Sequence, residues 1–223
     1  MNERFERNIG ALTGAEQELL GKKRAVVVGC GGLGGYAAEF LARIGLGHLT
    51  LVDEDVFAPS NLNRQLHALE SNLGEKKAFE VKKRLLQIVS DLSVEVFDIS
   101  LDSENAGELL KGHDVIIDAL DNVKTRLIIE KTANDLGIPL VHGAVEQWNA
   151  QVCTVFPGDF TLSKLYKPGS EFERPSVLSF TPAFCASLQA AEAIKILLNR
   201  KNILRKKLLT ADMLNDTSAI IDL

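Results

Sequence analysis

Residues 24–34 read Arg-Ala-Val-Val-Val-Gly-Cys-Gly-Gly-Leu-Gly. Residues 25–28 are a continuous apolar, mostly β-branched run, the pattern of a strand buried on both faces. Gly29-Cys30-Gly31-Gly32-Leu33-Gly34 then matches Gly-x-Gly-x-x-Gly directly after that strand. Beyond it Leu33, Tyr36, Ala37, Phe40, Leu41 and Ile44 recur at helical spacing until Gly45 and Gly47 stop the helix. Strand, glycine turn and helix in this order predict the first βα unit of a Rossmann-like sheet. The glycines allow two readings: close approach of backbone to a phosphate or ribose at a helix N-terminus, or close helix–strand packing alone. The motif does not name the nucleotide.

Outward from this unit the alternation continues. Strands are expected at 48–53, 94–99, 114–119 and 139–144, with helices marked by Val81, Leu85 and Ile88 and by the stretch 124–136. Strands that alternate with helices imply right-handed crossovers and a doubly wound, mostly parallel sheet. The expected fold class is therefore α/β. Residues 150–156 and 207–214 are strand-like without intervening helices of the early kind, which predicts an antiparallel C-terminal extension. Residues 157–179, rich in Pro, Gly and Ser, read as a long crossover loop, and such loops are commonly functional. A helix over 182–198 is apolar nearly all round (Phe184, Leu188, Ala191, Ile194, Leu198) and is expected to be buried. Thr13 and Glu16 form a capping box that opens a short helix in an N-terminal arm, 1–23. With a core at 24–144 and the extension at 145–223, the chain reads as one domain over 1–223.

The 223 residues are 46% hydrophobic and 25% charged, an ordinary globular composition. A net charge of −5 argues against non-specific nucleic-acid binding. The opening residues 1–10 are charged and lack an apolar h-region, so no secretory leader is expected, nor is a membrane span. Cys30, Cys153 and Cys185 are odd in number and widely spaced, which predicts neither a disulfide framework nor a zinc site. A cytoplasmic location is expected.

Asp53 ends the second strand, where an acid can accept hydrogen bonds from ribose hydroxyls. Taken alone, this suggests a nicotinamide dinucleotide site. The residues beyond that strand separate the options: Asp53-Glu54-Asp55, then Ser60-Asn61-Leu62-Asn63-Arg64-Gln65, then Gly74-Glu75-Lys76-Lys77. Hydride transfer needs no such cations, whereas a triphosphate does while its α–β bond breaks. Arg64 can grip phosphate oxygens with its planar fork, and Lys77 can act as a movable point charge. Singly, either is a solvated surface charge; the ordered set carries the argument. Asp118-Ala119-Leu120-Asp121-Asn122 ends a strand over the crevice. Carboxylates there suit Mg²⁺, with Asp121 as the ligand; Asp118 is either a reserve ligand or a buried structural group.

Together these motifs resemble the HesA/MoeB/ThiF family of sulfur-carrier adenylyltransferases, related to ubiquitin-activating enzymes. Their order and spacing carry the resemblance, supported by Gly143-Ala144, by Ala150-Gln151-Val152 and by Ser187-Leu188-Gln189-Ala190 with Glu192-Ala193. It covers nearly the whole chain. It implies a homodimer with one ATP per subunit. Gly32, Asp53 and residues 60–64 would contact the nucleotide, Lys77 the phosphates and Asp121 the Mg²⁺. It also implies that Arg7 reaches the neighbouring subunit's ATP. The partner would be a small ubiquitin-like sulfur carrier ending in Gly-Gly, activated as an acyl-adenylate.

The chain departs from many relatives in lacking two Cys-x-x-Cys pairs, so no structural zinc is expected. It also lacks a cysteine in 157–179. Buried thiols are expected for Cys153 and Cys185, while a helix N-terminus can lower the pKa of Cys30. Three alternatives stand beside the main reading. One is a tRNA threonylcarbamoyladenosine dehydratase-like enzyme, suggested by residues 63–69. The others are an NAD-dependent dehydrogenase and an inactive scaffold, both of which leave Arg64, Lys77 and Asp121 without roles.

Overall fold

The strand β1 (Arg24–Val28) buries every residue after Arg24, because it lies inside the sheet and is covered on both faces. It pairs in parallel with β2 (His48–Val52) on one side and β4 (Val115–Asp118) on the other. β3 (Ser93–Phe97) extends the sheet beyond β2, and β5 (Leu140–Glu146) extends it beyond β4, both in parallel. The antiparallel strands β6 (Asn149–Val155), β7 (Lys207–Asp212) and β8 (Thr217–Asp222) follow β5. The computed structural model describes residues 3–167, 169 and 176–223. Among them, eight strands form one sheet in the order β3-β2-β1-β4-β5-β6-β7-β8. This is the α/β class read from the sequence, with its antiparallel extension.

The helices are α1 (Gly14–Leu20), α2 (Gly32–Arg43), α3 (Lys77–Ile88), α4 (Ala106–Leu110), α5 (Val123–Leu136), α6 (Thr161–Leu165) and α7 (Phe180–Leu197). Alternate strand residues feed two cores. Ala25 and Val27 pack with Ala37, Leu41, Leu85 and Ala193 of α2, α3 and α7. Val26 and Val28 pack with Leu109, Leu110, Ile129 and Ala133 of α4 and α5. That period of two places helices on both faces of the sheet. Each fully buried large aliphatic side chain contributes about 1.5–3 kcal/mol of transfer free energy. The Thr13–Glu16 capping box is formed, with both reciprocal bonds present.

Several expectations need correction. The stretch 157–179 contains the helical turn α6, which a loop reading did not anticipate, while residues 168 and 170–175 lie outside the described residues. α7 begins at Phe180, with Pro182 inside its first turn, where a missing N–H costs no helical bond. It is not buried all round: Phe184 and Ala191 are exposed, while Gln189 and Glu192 are buried. The reason is polar pairing. Gln189 Nε2 donates to the carbonyls of Asp118 and Val141, and Glu192 accepts the Leu204 N–H. α4 and β8 were not anticipated either.

Candidate active site

The sheet order reverses at β1, whose neighbours β2 and β4 lead to opposite sides, and ligands of open α/β sheets bind at such a switch point. A crevice of about 670 Å³ lies there. Gly29, Gly31, Gly32 and Asp53 line one part, and Asp55, Ser60, Asn61, Arg64, Gln65 and Lys77 line the next. Asp121 and Asn122 face it from the β4–α5 turn, and Glu146, Gln151 and Thr210 from the antiparallel strands. The proposed nucleotide residues thus surround one space, with one exception. Gly34 does not line it; a Cβ there would run into the Gly29 carbonyl, so this glycine serves packing of α2 on the loop. Gly29 itself has φ 93°, and a Cβ would lie 2.7 Å from the Ala119 carbonyl oxygen.

Asp53 organises the glycine loop. Its Oδ2 accepts the Cys30 N–H at 2.6 Å and its Oδ1 the Asp55 N–H at 2.8 Å. Burial pushes its carboxyl pKa above the usual range, against the Cys30 N–H and the Lys77 charge. Lys77 opens α3, and its Nζ bonds Asp55 Oδ2 at 2.8 Å with only 8% of the side chain exposed. The movable charge expected from sequence is therefore held by the Asp55 carboxylate. Asn61 Oδ1 accepts the Ala58 N–H, which shapes the turn, and Arg64 Nη1 donates to the Ser60 carbonyl and to Asn63 Oδ1. Gln65 is buried, and its Oε1 has no hydrogen-bond partner among the described residues. A buried acceptor left open beside Gly31 suits a ligand donor.

The two acids at the end of β4 differ sharply. Asp118 is fully buried, bonded to His142 and to the Leu120 N–H, and does not line the crevice. Its reading as a reserve metal ligand is thereby corrected. Asp121 is exposed and makes no hydrogen bond or ion pair among the described residues. Asn122 caps α5, its Oδ1 accepting the Thr125 N–H at 2.8 Å. Arg7 is exposed on a short 3-10 helix, Glu3–Asn8. There Asn8 Nδ2 donates to the Ile44 carbonyl at the C-terminal end of α2, far from the glycine loop at the other end. Arg7 does not line this crevice.

Burial raises the Cys30 pKa well above its ordinary value, and the Asp53 charge adds to this, which corrects the expected lowering by the helix N-terminus. Burial also pushes Cys153 and Cys185 up to about 12. Among the crevice-lining residues that went unnoticed in the sequence are Arg126 and Tyr166. Arg126 sits four residues past the Asn122 cap, so its position on the crevice-facing turn of α5 was the available signal. Tyr166 had none, since its partners are distant in sequence.

A model of the ThiF family matches residues 5–223. This chain belongs to the ThiF family. Among its relatives, a SAMP-activating enzyme E1 of Haloferax volcanii is 36% identical over 200 residues, covering 87% of this chain and 74% of that protein. A sulfur carrier protein adenylyltransferase of Thermus thermophilus is 37% identical over 210 residues, covering 89% and 78%. A solved structure of Escherichia coli MccB with a MccA variant superposes with a TM-score of 0.89 at 22% identity, over all of this chain and 72% of that one. That likeness shows the ThiF-type fold.

Proposed function

We propose that this ThiF-family chain is an ATP-dependent adenylyltransferase that activates the C-terminal carboxylate of a small ubiquitin-like sulfur-carrier protein. The observation that carries this reading is the continuity of one crevice from the glycine loop and Asp53, past Arg64 and Lys77, to the open edge at Gln151 and Thr210. The nucleotide occupies the first part, and the carrier's Gly-Gly tail enters from the second. The carrier carboxylate, ionised near neutral pH, attacks the α-phosphorus. A carboxylate O–P bond forms, the bond to the bridging α–β oxygen breaks, and its electron pair leaves with pyrophosphate. The product is an acyl-adenylate ready for attack by sulfur. No protein nucleophile takes part; Arg64 and Lys77 bind and orient the phosphates and offset their charge.

Asp121 fits a magnesium site. It is a single exposed carboxylate, and among the described residues no group of three or more His, Cys, Asp or Glu side chains gathers to form a cage. Mg²⁺ is held in this way, through one or two acids plus substrate phosphates. The ion would supply charge neutralisation at the phosphates. No zinc is expected, and stoichiometric zinc in the purified protein would contradict that. The chain works as a homodimer in which Arg7 of each subunit serves the other's site. No helix among the described residues is long and apolar enough to cross a membrane, and we place the reaction in the cytoplasm. The test is ATP–pyrophosphate exchange with carriers ending in Gly-Gly. Exchange that appears only with such a carrier supports the reading, and its absence with every carrier overturns it.

A further inference from the structure

From the crevice wall at Tyr166 and Gln151 a chain of polar groups that the adenylation chemistry does not use runs inward to the buried His142 and Asp118. Asp118 Oδ2 lies 2.6 Å from His142 Nδ1, and His142 Nε2 lies 2.9 Å from the Tyr166 hydroxyl. Gln151 Nε2 donates to that hydroxyl at 2.8 Å. The bond directions are fixed by chemistry. Burial lowers the His142 pKa, against the pull of Asp118, and pushes Tyr166 up to about 12, so the ring and the phenol are both neutral. A neutral imidazole has one N–H. It points to the Asp118 carboxylate, which leaves Nε2 to accept the Tyr166 O–H.

Each end of this chain holds a separate piece of backbone. At one end Asp118 Oδ1 accepts the Leu120 N–H at 3.0 Å, and Arg126 donates to the Leu120 carbonyl. Leu120 is the residue before Asp121. At the other end Tyr166 closes α6, the first turn of the crossover out of β6. The start of that turn is held by Glu130, whose buried carboxylate accepts the N–H groups of Leu162 and Ser163 and the Ser163 hydroxyl. Arg126 also stands 5.2 Å over the Tyr166 ring, linking the two ends a second time.

We propose that Asp118, His142 and Tyr166 form a positioning relay that locks the Asp121 turn and the start of the crossover into one unit. A carrier tail seated beside Tyr166 and Gln151 thereby sets the position of Asp121 at the phosphates. This consequence rests on the adenylation reading; the mechanical coupling does not. None of the three is a catalytic residue here, since Asp118 and His142 are fully buried and Tyr166 acts through them.

Tyr166→Phe tests the relay, because it keeps the ring and removes only the hydroxyl. Amide hydrogen exchange of the free protein is the first measurement. The Leu120 N–H is bonded to Asp118 Oδ1 and not to the substituted side chain, yet it should exchange roughly 5- to 10-fold faster, the factor that matches one lost hydrogen bond. Leu162 and Ser163 should follow, while the core amides of β1 stay unchanged. If Leu120 keeps its rate, or if β1 accelerates equally, the relay is overturned. The second measurement is carrier-dependent pyrophosphate exchange, where the variant should need about fivefold more Mg²⁺ for half-maximal rate. An unaltered Mg²⁺ dependence would sever the link to Asp121. Failure of the function reading shows separately, as wild-type protein with no exchange at all.

Discussion

The two walls of the crevice handle charge in opposite ways. On the glycine-loop side, Asp55, Arg64 and Lys77 hold one another or nearby backbone by bonds that a ligand can displace. On the β5 side, Asp118, Arg126, Glu130 and His142 are buried; Asp118 pairs with His142 and Arg126, and Glu130 holds the amides that open α6. Asp118 and Asp121 sit three residues apart on either side of this divide. One has its oxygens engaged by His142 and Leu120, and the other has none engaged among the described residues. Identical side chains thus differ in what they can offer: the exposed wall is available to a ligand, and the buried wall fixes geometry. Substitutions on the first should change rates with little loss of stability, and those on the second should do the reverse.

The largest effect is expected on the exposed wall. Arg64→Ala or Lys77→Ala should slow carrier-dependent pyrophosphate exchange by about 10²–10³, the scale of one lost transition-state donor. The midpoint of thermal unfolding should barely move for Arg64→Ala, since Arg64 is half-buried with short local bonds, and should fall somewhat for Lys77→Ala, since the Lys77 side chain is buried against Asp55. Near-normal exchange in either variant would remove both from the chemistry.

A second test asks whether the exposed wall is completed by another subunit. Arg7 does not line its own crevice, and its segment is tied to the end of α2 opposite the glycine loop. Arg7→Ala and Asp121→Ala homodimers should each be nearly inactive. A mixed dimer then holds one site lacking both groups and one intact site, and activity should return to about half of wild type. No recovery, with subunit exchange confirmed by mass, would leave Arg7 outside the site.

The third effect is on stability. Gly34→Ala drives a methyl group into the Gly29 carbonyl, which backbone cannot evade cheaply. Overpacking of this kind costs about 1–3 kcal/mol. Thermal unfolding of the variant reads it, and an unchanged midpoint would show that α2 can slide.

Legibility in the sequence follows the same division. The parallel core was readable because buried strands are apolar runs and glycines punctuate them. Residues 25–28 and the motif at 29–34 needed no distant information. The charged motifs at 53–55, 60–65 and 77 were readable too, since each sits just past an element that the pattern had already placed. The buried polar wall was not. α6 is five residues long, and the Leu162 amide within it is held by Glu130, 32 residues away in sequence. Tyr166 meets His142 and Gln151 only through the fold. β8 is exposed at every position, so no burial pattern marks it. The exposed stripe of α7 was read as core because Phe184 and Ala191 are apolar, and the local period gives no sign that Gln189 and Glu192 have buried partners.

The smallest expected effect concerns thiols, and it tests the claim that the buried side is chemically silent. All three cysteines are buried, Cys153 in β6, Cys185 in α7 and Cys30 in the glycine loop. Burial raises each pKa, to about 12 for Cys153 and Cys185, so the folded protein keeps them as thiols through neutral pH. A thiol, unlike a thiolate, is a poor nucleophile. The triple variant Cys30→Ala, Cys153→Ala, Cys185→Ala should therefore form acyl-adenylate at close to the wild-type rate. The same shifts set a pH dependence of stability. The folded state holds these protons after the unfolded chain, with thiols near pKa 8.5, has released them. Their stabilising contribution is complete below that value and declines as pH climbs toward about 12. Unfolding followed from pH 8 to 11 should show wild type losing stability more steeply than the triple variant. A variant that folds but cannot adenylate would place a working thiol in the crevice, and equal slopes would mean that the thiols are not buried as the fold requires.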